Sequence, residues 1–225
     1  MKLPHLASSH DASPPRLRAR DISFGYRSRH RVVHRWSADF AAGEVTAITG
    51  RSGVGKSTIL YLLGLMLRPA AGEVLLDGLG VSPLSDASRA RLRADWFGFV
   101  FQDSALDAGR TVLDNVTESA LYRATPRRAV TARAEELLDQ LGVNVPLHRR
   151  PGQVSGGQAQ RIALCRALLH NPMVVLADEP TGNLGSGDTA RVIEVLRQQA
   201  GRGATVVVVT HSDRVAAACD RQLQI

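Results

Sequence analysis

Gly50-Arg51-Ser52-Gly53-Val54-Gly55-Lys56-Ser57 is the stretch that decides the fold. It fits the P-loop pattern G-x-x-x-x-G-K-[ST] and lies where that motif must lie. The β-branched run Val45-Thr46-Ala47-Ile48-Thr49 precedes it, and a helical pattern from Lys56 to Leu67 follows. The glycines let the backbone wrap around a polyphosphate and present N–H donors without Cβ clashes. The helix points its positive dipole end at the same anion. Lys56 is spaced to reach the β and γ phosphates, and the Ser57 hydroxyl can bind Mg²⁺. The candidate nucleotide-binding residues are therefore Gly50, Arg51, Ser52, Gly53, Val54, Gly55, Lys56, Ser57 and Thr58. The bland alternative is a chance glycine-rich turn, which the strand–loop–helix context argues against.

Further along, Val174-Val175-Leu176-Ala177-Asp178-Glu179 reads as a buried strand with two carboxylates at its C-terminal end. Ligands of open α/β sheets bind at such ends. Asp178 suits direct or outer-sphere Mg²⁺ binding, and Glu179 suits a general base that polarises an attacking water. Alone, the pair could equally be an acidic strand end facing solvent. The rest of the chain alternates short β-branched runs with longer helical patterns, which predicts an α/β fold with a largely parallel sheet. Strands are expected at Val45–Thr49, Phe97–Phe101, Met173–Ala177 and Thr205–Val209, and helices at Lys56–Leu67, Arg127–Leu141, Gln158–His170 and Thr189–Gln199. Residues 103 to 153 look more helical and more charged, consistent with a helical lobe.

A third motif, Ser155-Gly156-Gly157-Gln158, opens a helix with an N-cap and a second anion site. By itself it is a simple cap. In one order, however, the chain carries the P-loop, Gln102 after Phe99-Val100-Phe101, Ser155–Gln158, the strand ending Asp178-Glu179, and His211 after Val206 to Thr210. This set resembles the ATP-binding subunit of ABC transporters, over about residues 16 to 225. The resemblance implies a RecA-like P-loop NTPase core with a mainly parallel sheet, an antiparallel β edge and a helical subdomain at about 103–153. It implies an ATPase with ATP and Mg²⁺ as cofactors. By the same resemblance Gln102 senses metal and water and touches a membrane subunit, and His211 contacts the γ-phosphate. Ser57, Gln102 and Asp178 are the metal set. Ser155, Gly156, Gly157 and Gln158 cap the ATP held by a second copy of the chain. Tyr26, 24 residues before Gly50, matches the aromatic that stacks on adenine, although a core strand aromatic is the competing reading.

Shorter matches narrow the branch: Tyr61-Leu62-Leu63-Gly64-Leu65, Leu84-Ser85, Leu121-Tyr122-Arg123 and Ala177-Asp178-Glu179-Pro180-Thr181-Gly182-Asn183-Leu184. They resemble the branch serving lipoprotein release, macrolide export and haem export, with the cell-division ATPase as a relative. That branch drives a permease with few transmembrane helices, so the chain is expected at the cytoplasmic face of the membrane, peripheral through its partner. One departure stands out. Where the family usually has an aspartate after Asn183-Leu184, this chain has Gly185. Gly185→Asp is expected to raise a low basal ATPase by about 3- to 10-fold, unless Asp188, three residues on, already fills the role.

Composition fits this picture. The 225 residues are 44% hydrophobic and 22% charged, ordinary globular values. Only Lys2 and Lys56 are lysines; the other 26 basic residues are arginines, giving a net charge of +7. The arginines are scattered and not interleaved with aromatics, so a nucleic-acid partner is not expected, and a basic face toward anionic lipid is the alternative. The cysteines, Cys165 and Cys219, read as buried thiols. The longest apolar run, Ile59–Leu67, is nine residues, against about 18 for a span. Residues 1–15 lack an apolar signal core and read as a flexible extension. A DNA-repair ATPase of this family would carry a long heptad insertion or zinc cysteines, and a translation-associated one two such domains; the sequence has neither.

Overall fold

The computed structural model describes residues 15–26, 32–123 and 125–225. The N-terminal extension expected at 1–15 therefore lies outside the described residues, apart from Pro15.

Five parallel strands form the central sheet. They are β3 (Val45–Thr49), β6 (Phe97–Val100), β7 (Val174–Asp178), β8 (Thr205–Val209) and β9 (Arg221–Gln224), in the order β6-β7-β8-β3-β9. Their apolar runs are continuous because both faces are covered. Val175, Ala177, Val206 and Val208 point into one core; Val174, Leu176, Val207 and Val209 point into the other. The first core lies under α5 (Arg127–Gln140), α6 (Gly156–Leu168) and α7 (Ser186–Gly201) and also takes in α3 (Val112–Val116) and Ala120 of α4 (Ser119–Tyr122). The second packs α1 (Lys56–Leu63) against an antiparallel sheet.

That antiparallel component is a separate four-stranded sheet. It comprises β1 (Leu17–Phe24), β2 (Val33–Phe40), β4 (Ala71–Leu76) and β5 (Leu79–Gly80), in the order β2-β1-β4-β5. Its first two strands are hard to read from sequence because register shifts interrupt the period-2 alternation, with Asp21 at φ 47° and Arg35 at φ 44°. Two further helices complete the fold, α2 (Asp86–Trp96) and α8 (Asp213–Ala217).

Some expected boundaries shift. α1 ends at Leu63, not Leu67: Gly64 caps it and Leu65 turns left-handed at φ 59°. The exit turn is held by α2. Buried Arg89 donates to the Leu65 and Leu67 carbonyls at 2.5 and 2.8 Å, and Arg93 to Leu65 at 2.9 Å. α7 begins at Ser186, three residues before the expected start, and α6 at Gly156, with Ser155 as N-cap. β6 stops at Val100 and β7 runs on to Asp178. Cys165 and Cys219 are free and buried, and burial pushes the Cys219 thiol up to about 11.

Candidate nucleotide site

In a parallel sheet all strands end on one side, so β3, β7, β8 and β6 deliver their following loops to a single edge. β3 leads into Gly50, β7 into Glu179, β8 into Thr210 and His211, and β6 into Gln102. The edge encloses a cavity of about 660 Å³. Ser52, Gly53, Gly55, Lys56, Ser57 and Thr58 form its floor; Gln102, Asp178, Glu179 and His211 form one wall; Tyr26 and Val32 form the other.

The loop owes its shape to glycine. Gly55 sits at φ 106°, and a Cβ there would come within 2.8 Å of Val32 Cγ1 and 3.2 Å of the Val32 carbonyl. The loop enters α1 directly, with the Ile59 N–H bonded to the Gly55 carbonyl at 2.9 Å. Lys56 is buried, and its ammonium donates to the Gly50 and Arg51 carbonyls at 2.8 and 3.0 Å. It is a cation folded back into its own loop. Gly50, Arg51 and Val54 belong to the loop but do not line the cavity.

On the wall, Asp178 is almost fully buried. Burial pushes its carboxyl above the ordinary carboxylate range, while a hydrogen bond from Ser57 opposes the shift. Glu179 sits in the left-handed region at φ 47°, strained for a non-glycine. Its N–H is fastened to the Val209 carbonyl at 2.9 Å. Its carboxylate accepts from the Thr210 hydroxyl at 3.3 Å and lies 2.7 Å from His211 Nδ1. Thr210 and Val32 are functional neighbours that the sequence reading does not single out. Thr210 adjoins His211 at the strand end, which is the only sequence signal for it. Tyr26 is 63% exposed, which excludes the core-aromatic reading; its hydroxyl is 3.2 Å from that of Thr58, and its ring packs edge-on against Phe24.

One predicted group stays apart. Ser155, Gly156, Gly157 and Gln158 do not line this cavity. They open α6 through a capping box: Gln158 N–H donates to Ser155 Oγ at 3.2 Å, and Ser155 N–H to Gln158 Oε1 at 2.9 Å. Ser155 and Gly156 are exposed.

Among the described residues no group of three or more His, Cys, Asp or Glu is arranged to hold a metal ion. The donors at the cavity wall are instead hard oxygens on Ser57, Gln102 and Asp178, with one deeply buried carboxylate among them. That set fits Mg²⁺, which takes one or two carboxylates together with phosphate oxygens.

A glycine-cradled lysine at a helix start, facing two strand-end carboxylates across a cavity of nucleotide size, defines a P-loop nucleotide hydrolase. A family model described as ABC transporter matches residues 33–182. The lipoprotein-releasing system ATP-binding protein LolD of Myxococcus xanthus is 43% identical over 90% of this chain and 91% of its own. The macrolide export ATP-binding/permease protein MacB 1/2 of Paracoccus denitrificans is 41% identical over 96% of this chain but 33% of its own, so this chain spans about a third of the macrolide-export relatives it matches. Among solved structures, the dimeric bacterial ABC transporter cassette MJ0796 superposes with a TM-score of 0.87 at 32% identity, over 93% of this chain and 94% of that one. Its post-hydrolysis dimer bound to ADP and Pi superposes at 0.86. The chain belongs to the ABC transporter family and is an ATP-binding cassette ATPase. Among the described residues no helix is long and apolar enough to cross a membrane.

Proposed function

We propose that this chain powers a membrane permease at the cytoplasmic face of the membrane by closing, as a head-to-tail pair of copies, around two ATP molecules. The observation that carries this is the separation of the site into two parts. The cavity gathers Lys56, Ser57, Gln102, Asp178, Glu179 and His211, while the Ser155–Gln158 turn lies outside it with Ser155 and Gly156 exposed. A helix start is an anion site, and in a lone chain this one does not line the cavity that gathers the phosphate-binding residues. A second copy supplies the match.

In that arrangement Tyr26 offers its exposed ring to the adenine. The loop N–H groups and Lys56 hold the β and γ phosphates, and Ser57, Gln102 and Asp178 hold Mg²⁺. The metal supplies neutralisation of phosphate charge. Glu179 takes a proton from the attacking water, and His211, bonded to the same carboxylate, faces the γ-phosphate. The partner's Ser155–Gln158 turn closes the far side and excludes water. The helical lobe near 103–153 is the part that meets the permease. A groove of about 380 Å³ there runs past Phe99, Phe101 and Tyr122, beside the loop that carries Gln102. The macrolide-export and lipoprotein-release relatives support a lipophilic or amphipathic cargo, exported or extracted by the permease.

A mixing experiment tests the shared site. Lys56→Ala removes the phosphate cation, and Gly156→Asp, at a position where a Cβ meets nothing within 4 Å, places a negative charge at the partner's phosphate. Each variant alone is expected to be inactive. Mixed in equal amounts with ATP, they form pairs with one intact site, and at least a tenth of the unsubstituted rate should return. A mixture no faster than its two components rules the shared site out.

A further inference from the structure

Gly157 and Arg161 lie four residues apart on α6 and so share one face. That face meets the segment running from Glu179 into α7. A Cβ on Gly157 would come within 3.1 Å of Leu184 Cδ2 and 3.2 Å of the Asn183 carbonyl, so the two stretches are in close contact at a residue with no side chain. One turn along, Arg161 forms an ion pair with Asp188 in the first turn of α7. The Arg161 side chain is 8% exposed and that of Asp188 40%. Among the described residues, Asp188 is the one carboxylate in ion-pair contact with Arg161, and a guanidinium this deep requires its counter-charge. The neighbouring Gln160, also buried, donates to the Phe101 carbonyl at 3.2 Å, next to Gln102. Gly185 takes no part: a Cβ there would meet nothing within 4 Å.

We propose that Asp188 is a positioning residue for hydrolysis. Through Arg161 it holds α6, and with it the Ser155–Gln158 turn, against the segment that begins at Glu179. The turn that one copy offers to its partner's ATP then moves as one body with the strand end that works on its own ATP. Each chain thus couples the two sites of the pair through the internal contact of α6 with this segment, with the carboxylate at 188 serving where residue 185 contributes none. This rests on the reading of Ser155–Gln158 as half of a shared site.

A competing role exists for Asp188. An acidic residue in a helix's first turn complements the dipole and stabilises the helix without touching the chemistry. Steady-state ATPase measurements on Asp188→Asn, Asp188→Ala and Asp188→Glu separate the two, read alongside thermal unfolding midpoints. Positioning predicts that Asn and Ala lower kcat about five- to tenfold, equivalent to about 1.0–1.4 kcal/mol of barrier. KM for ATP should stay within twofold, since the Lys56 cavity is untouched, and Glu should recover at least half of the lost rate. Gly185→Asp should change kcat less than twofold, because the orienting contact already exists. An Asp188→Asn enzyme within twofold of the unsubstituted kcat overturns the inference, as does an Asp188→Glu enzyme no better than Asp188→Ala. A threefold or larger rise in Gly185→Asp also overturns it. The mixing experiment keeps the two failures apart. If mixing restores no activity, the shared site is wrong and this inference falls with it; if mixing restores activity and Asp188→Asn is unaffected, only this inference is wrong.

Discussion

His211 Nδ1 lies 2.7 Å from Glu179 Oε1, joining the residue after β8 to the residue after β7 across adjacent strand ends. The carboxylate accepts this bond, so Nδ1 is the donor and the other ring nitrogen is turned free of it. Glu179 is held on three sides: by His211, by the Thr210 hydroxyl, and through its own N–H by Val209. A base so held has its oxygen aimed before the water arrives. Glu179→Gln keeps the shape but cannot take the proton, so hydrolysis should fall by roughly 10²–10⁴. ATP binding should survive, and the variant should run as a dimer on size exclusion with ATP. A variant that stays monomeric or hydrolyses at the normal rate contradicts the assignment. His211→Ala should fall less, by about 10- to 100-fold, with ATP affinity within threefold.

Lys56→Ala should abolish nucleotide binding. In this fold the ammonium is the buried cation of the loop, held by the Gly50 and Arg51 carbonyls. Alanine removes the one buried cation of the loop that could offset the phosphate charge. Titration with a fluorescent ATP analogue checks this; an affinity unchanged within twofold refutes it.

Asp178→Asn should separate stability from binding. Burial raises the Asp178 pKa, so between the ordinary carboxylate value near ~4 and the raised value, the folded chain holds a proton that the unfolded chain has lost. Stability contributed by this group is therefore present below that window and is lost as pH rises through it. Asparagine has no proton to lose. Without ligand, the variant should melt higher than the unsubstituted chain at pH 7, and the difference should shrink as pH falls. The rise in melting temperature on adding Mg²⁺ and ATP should largely disappear in the variant. Scanning fluorimetry from pH 4 to 8, with and without ligand, checks this; a variant that melts lower than the unsubstituted chain at pH 7 without ligand contradicts it.

Arg89→Met should cost stability rather than activity. Arg89 is buried and bonds the Leu65 and Leu67 carbonyls at the exit of α1. Methionine fills much of the volume and leaves those carbonyls with less bonding. Charge-assisted bonds of this kind contribute about 1.5–3 kcal/mol, which in a domain of this size corresponds to a fall of about 3–12 °C in the melting temperature. A midpoint within 1 °C of the unsubstituted chain means that Arg93, which also bonds Leu65, carries the turn alone.

The chemistry of this chain was written into short stretches, and its assembly was not. The P-loop from Gly50 to Ser57, the buried strand ending in Asp178 and Glu179, and the capped helix start at Ser155 are legible because each is a local rule. Glycine spacing, an apolar run before carboxylates and an N-cap need only their own neighbours. Gln102 and His211 are different, since a lone polar residue after a strand has no local mark. They became readable by their place in an ordered set, and the sheet explains why they meet. The order β6-β7-β8-β3 sets residues 102, 179, 211 and 50 side by side although the chain visits them far apart. The antiparallel edge was implied by the resemblance, but the positions of β1 and β2 escaped because Asp21 and Arg35 break their alternation. Only the tertiary structure shows which of Gly185 and Asp188 lies against α6: Asp188 pairs with Arg161, and a Cβ at 185 would meet nothing within 4 Å. Nothing in the sequence says that Gly157 lies against Leu184 on the face of α6, or that Arg161, one turn along that face, meets Asp188.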